Sequence, residues 1–407
     1  LKRLYHTLVF FYTLGIRAVA PFHQKAALWV RGRREKIILT GVWEGPTMWM
    51  HCASLGEFEQ GRPVLEAIKK ERPETRIVLT FFSPSGFEVR KNYPGADAVF
   101  YLPADLPGNA ACFFDSVNPD YGIFVKYEFW QGYLHEAKKR GVPLYLISGI
   151  FRKEMPFFRW YGNFFREGLG AFRHFFVQDE SSKELLGQIG YEQATVCGDT
   201  RLDRVMVAAD IVEPLPEIAA FKAENLLWVC GSTWPADDEK IASVLKRLAS
   251  RPKTLLVPHD IRPEYLRQFM RRHPELRMRL FSEGVAPDAD LLILDRMGLL
   301  MRAYAHADFT YVGGGFGRAV HNTMEPAAYG IPVAFGPKHQ KFNEIRGLLS
   351  CGGGICLQKD ADFEVYLQTM MENESRRKTM GVACRNYVKI HSGATKKIIA
   401  GMFNLNC

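Results

Sequence analysis

Short apolar runs recur along almost the whole chain, separated by stretches with the polar–apolar period of amphipathic helices. In the front half the runs are TMWMHCAS (47–54), RIVLTFF (76–82), DAVFYLP (97–103), YGIFVKY (121–127), PLYLISG (143–149) and HFFVQD (174–179). In the back half they are LLWVCGS (226–232), KTLLVPH (253–259), RMRLFS (277–282), DLLILD (290–295), DFTYVGG (308–314) and PVAFGP (332–337). Continuous rather than alternating apolar character marks strands buried on both faces, as in parallel sheets covered by helices. The intervening segments GEFEQGRPVLEAIKKERP, GYLHEAKKRG, DDEKIASVLKRLA and EYLRQFMRRHPE supply those helices. The alternation predicts an α/β protein built from two doubly wound, Rossmann-like domains facing across a cleft. The first covers 37–205 and the second 206–385, entered through the linker VEPLPEIAAFKAEN. A Phe-rich helix is expected at 157–172, and one or two helices in the tail 386–407, with a final helix able to cross back to the first domain.

Residues 1–36 stand apart. LKRLYHTLVFFYTLGIRAVAPF holds an apolar run from Leu8 to Ile16 flanked by cations, and QKAALWVRGRREK sets Trp29 among Lys and Arg. The run is about half of the ~20 residues that a spanning helix needs. Apolar and aromatic residues beside many cations suit a helix lying on an anionic membrane surface.

Composition narrows the partners. The 407 residues are 47% hydrophobic and 24% charged, which describes a globular protein, and the net charge of +9 favours an acidic partner. No nucleic-acid-binding signature accompanies that charge, so phosphorylated substrates and anionic membranes remain. Cysteines at 52, 112, 197, 230, 351, 356, 384 and 407 form no CxxC and lie at no zinc spacing, which predicts buried free thiols. The triplets Asp288–Asp290 and Asp360–Asp362 read as solvated turns in loops and not as metal ligands.

Candidate chemistry gathers at the ends of the expected strands. VGGGFGRAVHNTMEPAAYGIPVAFGP (312–337) reads as a strand end, a glycine turn through Gly313, Gly314 and Gly315, a helix head carrying His321, Asn322 and Glu325, and another strand. Glycines allow positive φ and close approach to a ligand, and a helix start suits a phosphate. Pro326 confines the helix start to its own first turn. Asn322 and Glu325, three apart, share a helix face. Ser232 and Thr233, His259 with Arg262, and Met297–Gly298 end three other strands of that domain, offering hydroxyls, cations and a turn. In the first domain, Ser54 and Glu57, Ser83 and Ser85, and Glu128 occupy equivalent places. A carboxylate at a strand end can accept a substrate proton, though capping a helix asks for the same residue types.

Taken together, HCASLGEFEQGRPVLEAI, LTFFSPSGFE, YLPADLPG, VQDE, VCGDTRLDR, YVGGGF and HNTMEPAAYGIPVAFGP resemble the 3-deoxy-D-manno-octulosonic acid (Kdo) transferases of lipopolysaccharide assembly over nearly the whole length. The resemblance implies the GT-B fold and inverting transfer of Kdo from CMP-Kdo to a lipid A precursor, at the cytoplasmic face of the bacterial inner membrane, with no metal or other cofactor. By position it implies Glu57 as catalytic base, and Ser232, Met297, Gly298, Asn322 and Glu325 as holders of CMP, with Asn322 toward the phosphate and Glu325 toward the ribose. Thr233, His259, Arg262 and Gly314 join the expected donor site; Ser54, Ser83, Ser85 and Glu128 the acceptor site. Two departures stand out. His259 occupies a place where the family often has arginine, and the family's ETELWPN reads KYEFWQG, keeping Glu128 and Trp130. The rival readings are a GT-B transferase using a UDP-sugar and a non-catalytic lipid-surface protein. A dinucleotide dehydrogenase is weaker, since no GxGxxG follows either domain's first strand.

Overall fold

The computed structural model describes residues 1–404 apart from 36, 40, 42, 212, 318 and 341. The chain folds into two compact units, one comprising Leu1–Asp203 with Gly393–Cys407, the other Arg204–Ser392.

The first unit opens with helices α1 (Lys2–Val19) and α2 (Gln24–Gly32). There follow β1 (Thr47–Cys52), α3 (Leu55–Glu71), β2 (Arg76–Phe81), α4 (Pro84–Arg90), β3 (Ala98–Tyr101), α5 (Asn109–Val117), β4 (Tyr121–Val125), α6 (Gln131–Arg140) and β5 (Leu144–Gly149). Then come α7 (Asn163–Leu169), β6 (Phe172–Val177), α8 (Glu180–Gln188), β7 (Ala194–Val196) and α9 (Thr200–Ile211), whose residues pass from one unit to the other. Every strand pairs in parallel, in the order β3-β2-β1-β4-β5-β6-β7. One core cluster packs around Trp49 and Phe124 and another around Phe58 and Ile123, so helices cover both faces.

The second unit contains α10 (Pro216–Lys222), β8 (Leu227–Thr233), α11 (Pro235–Arg247), β9 (Lys253–Pro258), α12 (Pro263–Arg272), β10 (Met278–Leu280), β11 (Leu291–Ile293), α13 (Leu300–Tyr304) and β12 (Phe309–Val312). It ends with α14 (Met324–Ala328), β13 (Val333–Phe335), α15 (Asn343–Ser350), β14 (Gly354–Cys356), α16 (Asp360–Glu372) and α17 (Glu374–His391). Its strands are again all parallel, in the order β10-β11-β9-β8-β12-β13-β14. The last helix, α18 (Ala394–Asn404), belongs to the first unit, where Ile398 and Met402 enter the core beside α3.

Both sheets reverse their strand order beside their first strand, between β1 and β4 and between β8 and β12, and in the second sheet β10 and β11 are also exchanged at the edge. Doubly wound folds bind ligands at the carboxyl ends of the strands flanking such a reversal. The architecture therefore singles out the ends of four strands before any side chain is considered.

Several expectations need correction. Each sheet has seven strands rather than six, because the three-residue edge strands β7 and β14 are too short to register as apolar runs. The Phe-rich segment is not one helix: a 3-10 turn at Pro156–Phe158 and the short α7 are separated by Gly162, where a Cβ would meet the Pro156 carbonyl at 2.4 Å, and Phe172 begins β6. The stretch expected as a linker folds into α10, which buries Ile218 and Phe221. Asp360–Asp362 opens α16, with Asp362 accepting from the backbone of Gln358 and Lys359, and Asp290 is paired with Arg277. Cys112 and Cys351 are exposed rather than buried, and Cys407 lies outside the described residues.

Among the described residues no helix is long and apolar enough to cross a membrane. The amphipathic reading of the first helix holds in a specific way. Val9 and Thr13 of α1 are buried, whereas Leu4, Leu8, Phe11 and Leu14 stand exposed on its other side, followed by Phe22 at 90% exposure. Tyr5 anchors the helix, donating to Asp105 at 2.6 Å and accepting from the Gln131 amide. Lys36, the last residue of the basic stretch, lies outside the described residues.

Candidate active site

Ser54 caps α3, its Oγ accepting from the Glu57 amide at 3.5 Å, and Glu57 reaches back to take the Ala53 N–H on Oε2. This is a helix-capping arrangement in which the acid occupies the third helical position. It holds the carboxyl in place and buries it: Glu57 is 6% exposed. Its other oxygen, Oε1, makes no hydrogen bond among the described residues.

Across the strand reversal, β4 is followed by Lys126, Tyr127 and Glu128. Burial pushes the Glu57 carboxyl up to about 8, and the neighbouring Glu128 charge adds to the rise; the Ala53 N–H and the Lys126 charge oppose it. Burial likewise raises Glu128 to about 7, opposed by the Trp130 indole. A buried carboxyl and a half-buried one on neighbouring strand ends, both poised near neutrality, form a site that can exchange a proton with a bound hydroxyl. Ser83 caps α4, with Ser85 Oγ at 3.0 Å from its hydroxyl, and the Ser83 amide bonds the Ala53 carbonyl at 2.7 Å. Ser54, Glu57, Ser83 and Ser85 thus meet at the adjoining ends of β1 and β2, with Glu128 across the reversal.

Below them lies His51, on β1 and fully buried. Burial and the Arg33 charge push its imidazole down to about 3, so it is neutral. Its Nδ1 is 3.0 Å from Thr80 Oγ1, which also accepts from the Trp49 indole at 2.8 Å. Its Nε2 lies 4.0 Å from Glu128 and has no hydrogen-bond partner among the described residues. Neither His51 nor Lys126 was singled out from the sequence: His51 sits inside an apolar strand and acquires a role only because β4 lies beside β1.

In the second unit, the polar strand ends belong to β11, β9, β8 and β12, four strands adjacent in the sheet. Of the three glycines after β12, only Gly314 has positive φ, at 94°. Gly313 is required for closeness instead, since a Cβ there would meet Ser232 O at 2.6 Å across the reversal. The turn is pinned by Asp237 of α11, a fully buried residue. Its Oδ2 accepts from the Gly314 amide at 2.8 Å and the Trp234 amide at 2.9 Å, and its Oδ1 from the Tyr311 hydroxyl at 2.6 Å.

Asn322 lies before α14, its Oδ1 accepting from the Met324 amide at 3.0 Å and its Nδ2 donating to Glu325 at 3.1 Å. The two side chains meet, but across the helix start and not on one helix face as expected, because α14 begins only at Met324. Burial raises the Glu325 carboxyl, opposed by Asn322 and the Arg204 charge. Trp234, His259 and His321 form a stack, with ring centroids 4.5 Å and 5.2 Å apart in that order, and the Trp234 indole donates to His321 Nε2 at 2.8 Å. Ser232 has a left-handed backbone at φ 52°, Gly298 has φ 81°, and Met297 is 76% exposed.

Two of the expected donor residues are engaged within the protein. Thr233 is fully buried beside Asp238. Arg262 is exposed and its guanidinium is committed to Asp260, which leaves His259 as the ring at that strand end. Asp237, Trp234 and Arg204 were missed, because a WPADD sequence signals only a helix cap until the fold brings Gly314 to it.

Two seven-stranded parallel sheets, each with polar residues collected at its order reversal, define a GT-B type α/β enzyme. The solved structure of MurG from Acinetobacter baumannii superposes with a TM-score of 0.55 at 14% identity, covering 88% of this chain and 98% of that one, which shows the fold alone. The family model described as 3-deoxy-D-manno-octulosonic-acid transferase (kdotransferase) matches residues 24–204. A 3-deoxy-D-manno-octulosonic acid transferase of Chlamydophila psittaci is 30% identical over 325 residues, covering 77% of this chain and 75% of the relative. One from Bordetella pertussis is 25% identical, covering 95% and 97%. The chain belongs to the 3-deoxy-D-manno-octulosonic acid transferase family, and it is a glycosyltransferase of that family.

Proposed function

We propose that the chain transfers Kdo from CMP-Kdo to a lipid A precursor of the lipid IVA type, with inversion at the anomeric carbon, in lipopolysaccharide biosynthesis. The observation that carries the reading is the Glu57 carboxyl, fixed by a capping arrangement, buried at a strand reversal and raised to about 8. In the proposed reaction an acceptor hydroxyl oxygen bonds to the anomeric carbon of Kdo as the bond from that carbon to the phosphate oxygen breaks. The acceptor proton passes to Glu57, and CMP leaves with the bonding electron pair. Proton acceptance of this kind contributes ~10²–10⁴-fold.

The first unit takes the acceptor, with Ser54, Ser83, Ser85 and Glu128 around Glu57. The second takes the nucleotide, with Ser232, His259, Met297, Gly298, Gly314, Asn322 and Glu325. The pairing of Asn322 with Glu325 at 3.1 Å, at the start of α14, supports a division between phosphate and ribose hydroxyls. The exposed apolar side of α1, with Lys2 and Arg3 on the same helix, supports attachment to the cytoplasmic face of the bacterial inner membrane.

The test incubates the protein with CMP-Kdo and a tetraacylated disaccharide bisphosphate and weighs the lipid product. An added Kdo mass is expected, and competition by CMP but not by UDP. An unchanged lipid, or displacement by UDP alone, would contradict the reading.

A further inference from the structure

The first unit contains a cavity of about 580 Å³ between α1, α2 and the loop after β3. Three arginines line it: Arg17 from α1, and Arg33 and Arg34 at the end of α2. None of the three pairs with a carboxylate among the described residues. Like charges gathered in one concavity repel one another unless an anion lies between them.

Arg33 is held with particular care. Its guanidinium carbon lies 3.9 Å from the Trp29 ring centroid and 4.7 Å from that of Phe82. Its Nε donates to the Leu102 carbonyl at 2.9 Å and its Nη2 to the Phe82 carbonyl at 2.8 Å. Burial lowers it to about 9, so it keeps its charge at neutral pH with only neutral oxygens around it. Carbonyls orient a guanidinium without cancelling its charge, which leaves its field available to a bound anion.

Aromatic rings lead from Arg33 toward the candidate acceptor site. Phe82 stacks on Trp130 with centroids 4.6 Å apart, and Trp130 follows Glu128 by two residues. The carbonyls that hold Arg33 lie just beyond the carboxyl ends of β2 and β3, one and two strands from the strand that precedes Glu57. At the usual strand spacing these separations are roughly 5 and 10 Å, the scale of a sugar ring and its substituents. Toward the other side the lining runs through Ala20 and Pro21 to the exposed ring of Phe22, beside the apolar side of α1.

We infer that this cavity is a phosphate subsite for the membrane-borne acceptor, in which Arg17, Arg33 and Arg34 take a phosphomonoester while the acyl chains follow the apolar side of α1. The inference rests on the acceptor assigned above and adds a recognition site that the strand-end residues do not supply. Arg33 also pins α2 to the sheet, so the test leaves it in place and replaces the exposed Arg17 and Arg34.

The Arg17→Ala/Arg34→Ala double variant is assayed with the phosphorylated acceptor and with the same acceptor after phosphatase treatment. KM for the phosphorylated acceptor should rise ~10–100-fold, the loss expected for one or two charge-assisted hydrogen bonds, with kcat unchanged within about twofold. KM for the dephosphorylated acceptor should not move, and Arg17→Lys/Arg34→Lys should restore most of the loss. Equal effects on the two acceptors, or none, would overturn the assignment. A second measurement does not depend on turnover: co-sedimentation with phosphatidylcholine vesicles containing phosphatidic acid, a phosphomonoester. Wild-type binding that needs phosphatidic acid and is lost in the double variant supports the anion site even if Kdo transfer fails. Identical sedimentation of the two proteins would overturn it. Lost vesicle binding with an unchanged acceptor KM would overturn the acceptor as the phosphate's source.

Discussion

Glu57 and Glu128 have folded-state pKa values of about 8 and about 7, raised first by burial from an ordinary 4.5. Each therefore binds its proton more tightly in the folded protein than in the unfolded chain. The stability that follows is full below about 4.5 and is lost as pH rises through 7 and 8. Glu57→Gln, which cannot ionise, should unfold at a higher temperature than wild type at pH 9 and at nearly the same temperature at pH 4.5. Thermal scans at the two pH values measure this, with about 2–4 °C expected per kcal/mol in a unit of this size. Catalytic pH dependence should run the opposite way, since a base must lose its proton. The acid limb of kcat/KM is expected near 8, and Glu128→Gln should move it lower by removing the second-largest cause of the shift. Burial, the first cause, remains, so the limb should stay well above 4.5; pH–rate profiles of the two proteins decide. Glu57 was legible in the sequence because a Ser-x-x-Glu follows a buried apolar run. Its environment was not, since Glu128 and Lys126 reach it only after β4 has crossed to lie beside β1.

At the scale of elements, the glycine turn after β12 is the part of the second unit that its sequence advertised most clearly. What holds it was invisible: Asp237 lies 77 residues from the Gly314 amide it accepts. Asp237→Ala removes a fully buried acceptor of three hydrogen bonds. A loss of roughly 3 kcal/mol or more is expected from stranding those donors, read by urea denaturation of the variant. CMP affinity, measured by calorimetry, should fall with it, because the turn and Asn322 belong to one connected stretch. The elements misread from the sequence share a physical cause. The edge strands β7 and β14 contribute three residues each, and the Phe-rich segment carries ring after ring at helical spacing although Gly162 breaks it. Aromatic content reports burial, and burial alone does not distinguish a helix from a turn that packs equally well.

Across the whole molecule, the two-unit organisation was readable because the same strand–helix alternation runs twice. The exchange at the end of the chain was readable only as a possibility, since α18 carries no marker of where it packs. In the structure Ala394, Ile398 and Met402 are buried in the core of the first unit. Ending the chain at Ser392 should therefore destabilise the unit that carries Glu57 by roughly 5–10 kcal/mol, counting Ile398, Ile399 and Met402 with the smaller alanine. Limited proteolysis should then cut within 1–203 before it cuts within 204–392. The account as a whole depends on Glu57 taking the acceptor proton. The most direct measurement compares Glu57→Gln with wild type for CMP release in the presence of lipid acceptor, with CMP binding measured on the same preparations. The account predicts a fall of ~10²–10⁴-fold in turnover with CMP affinity within about twofold; turnover near the wild-type rate with normal CMP binding would contradict it.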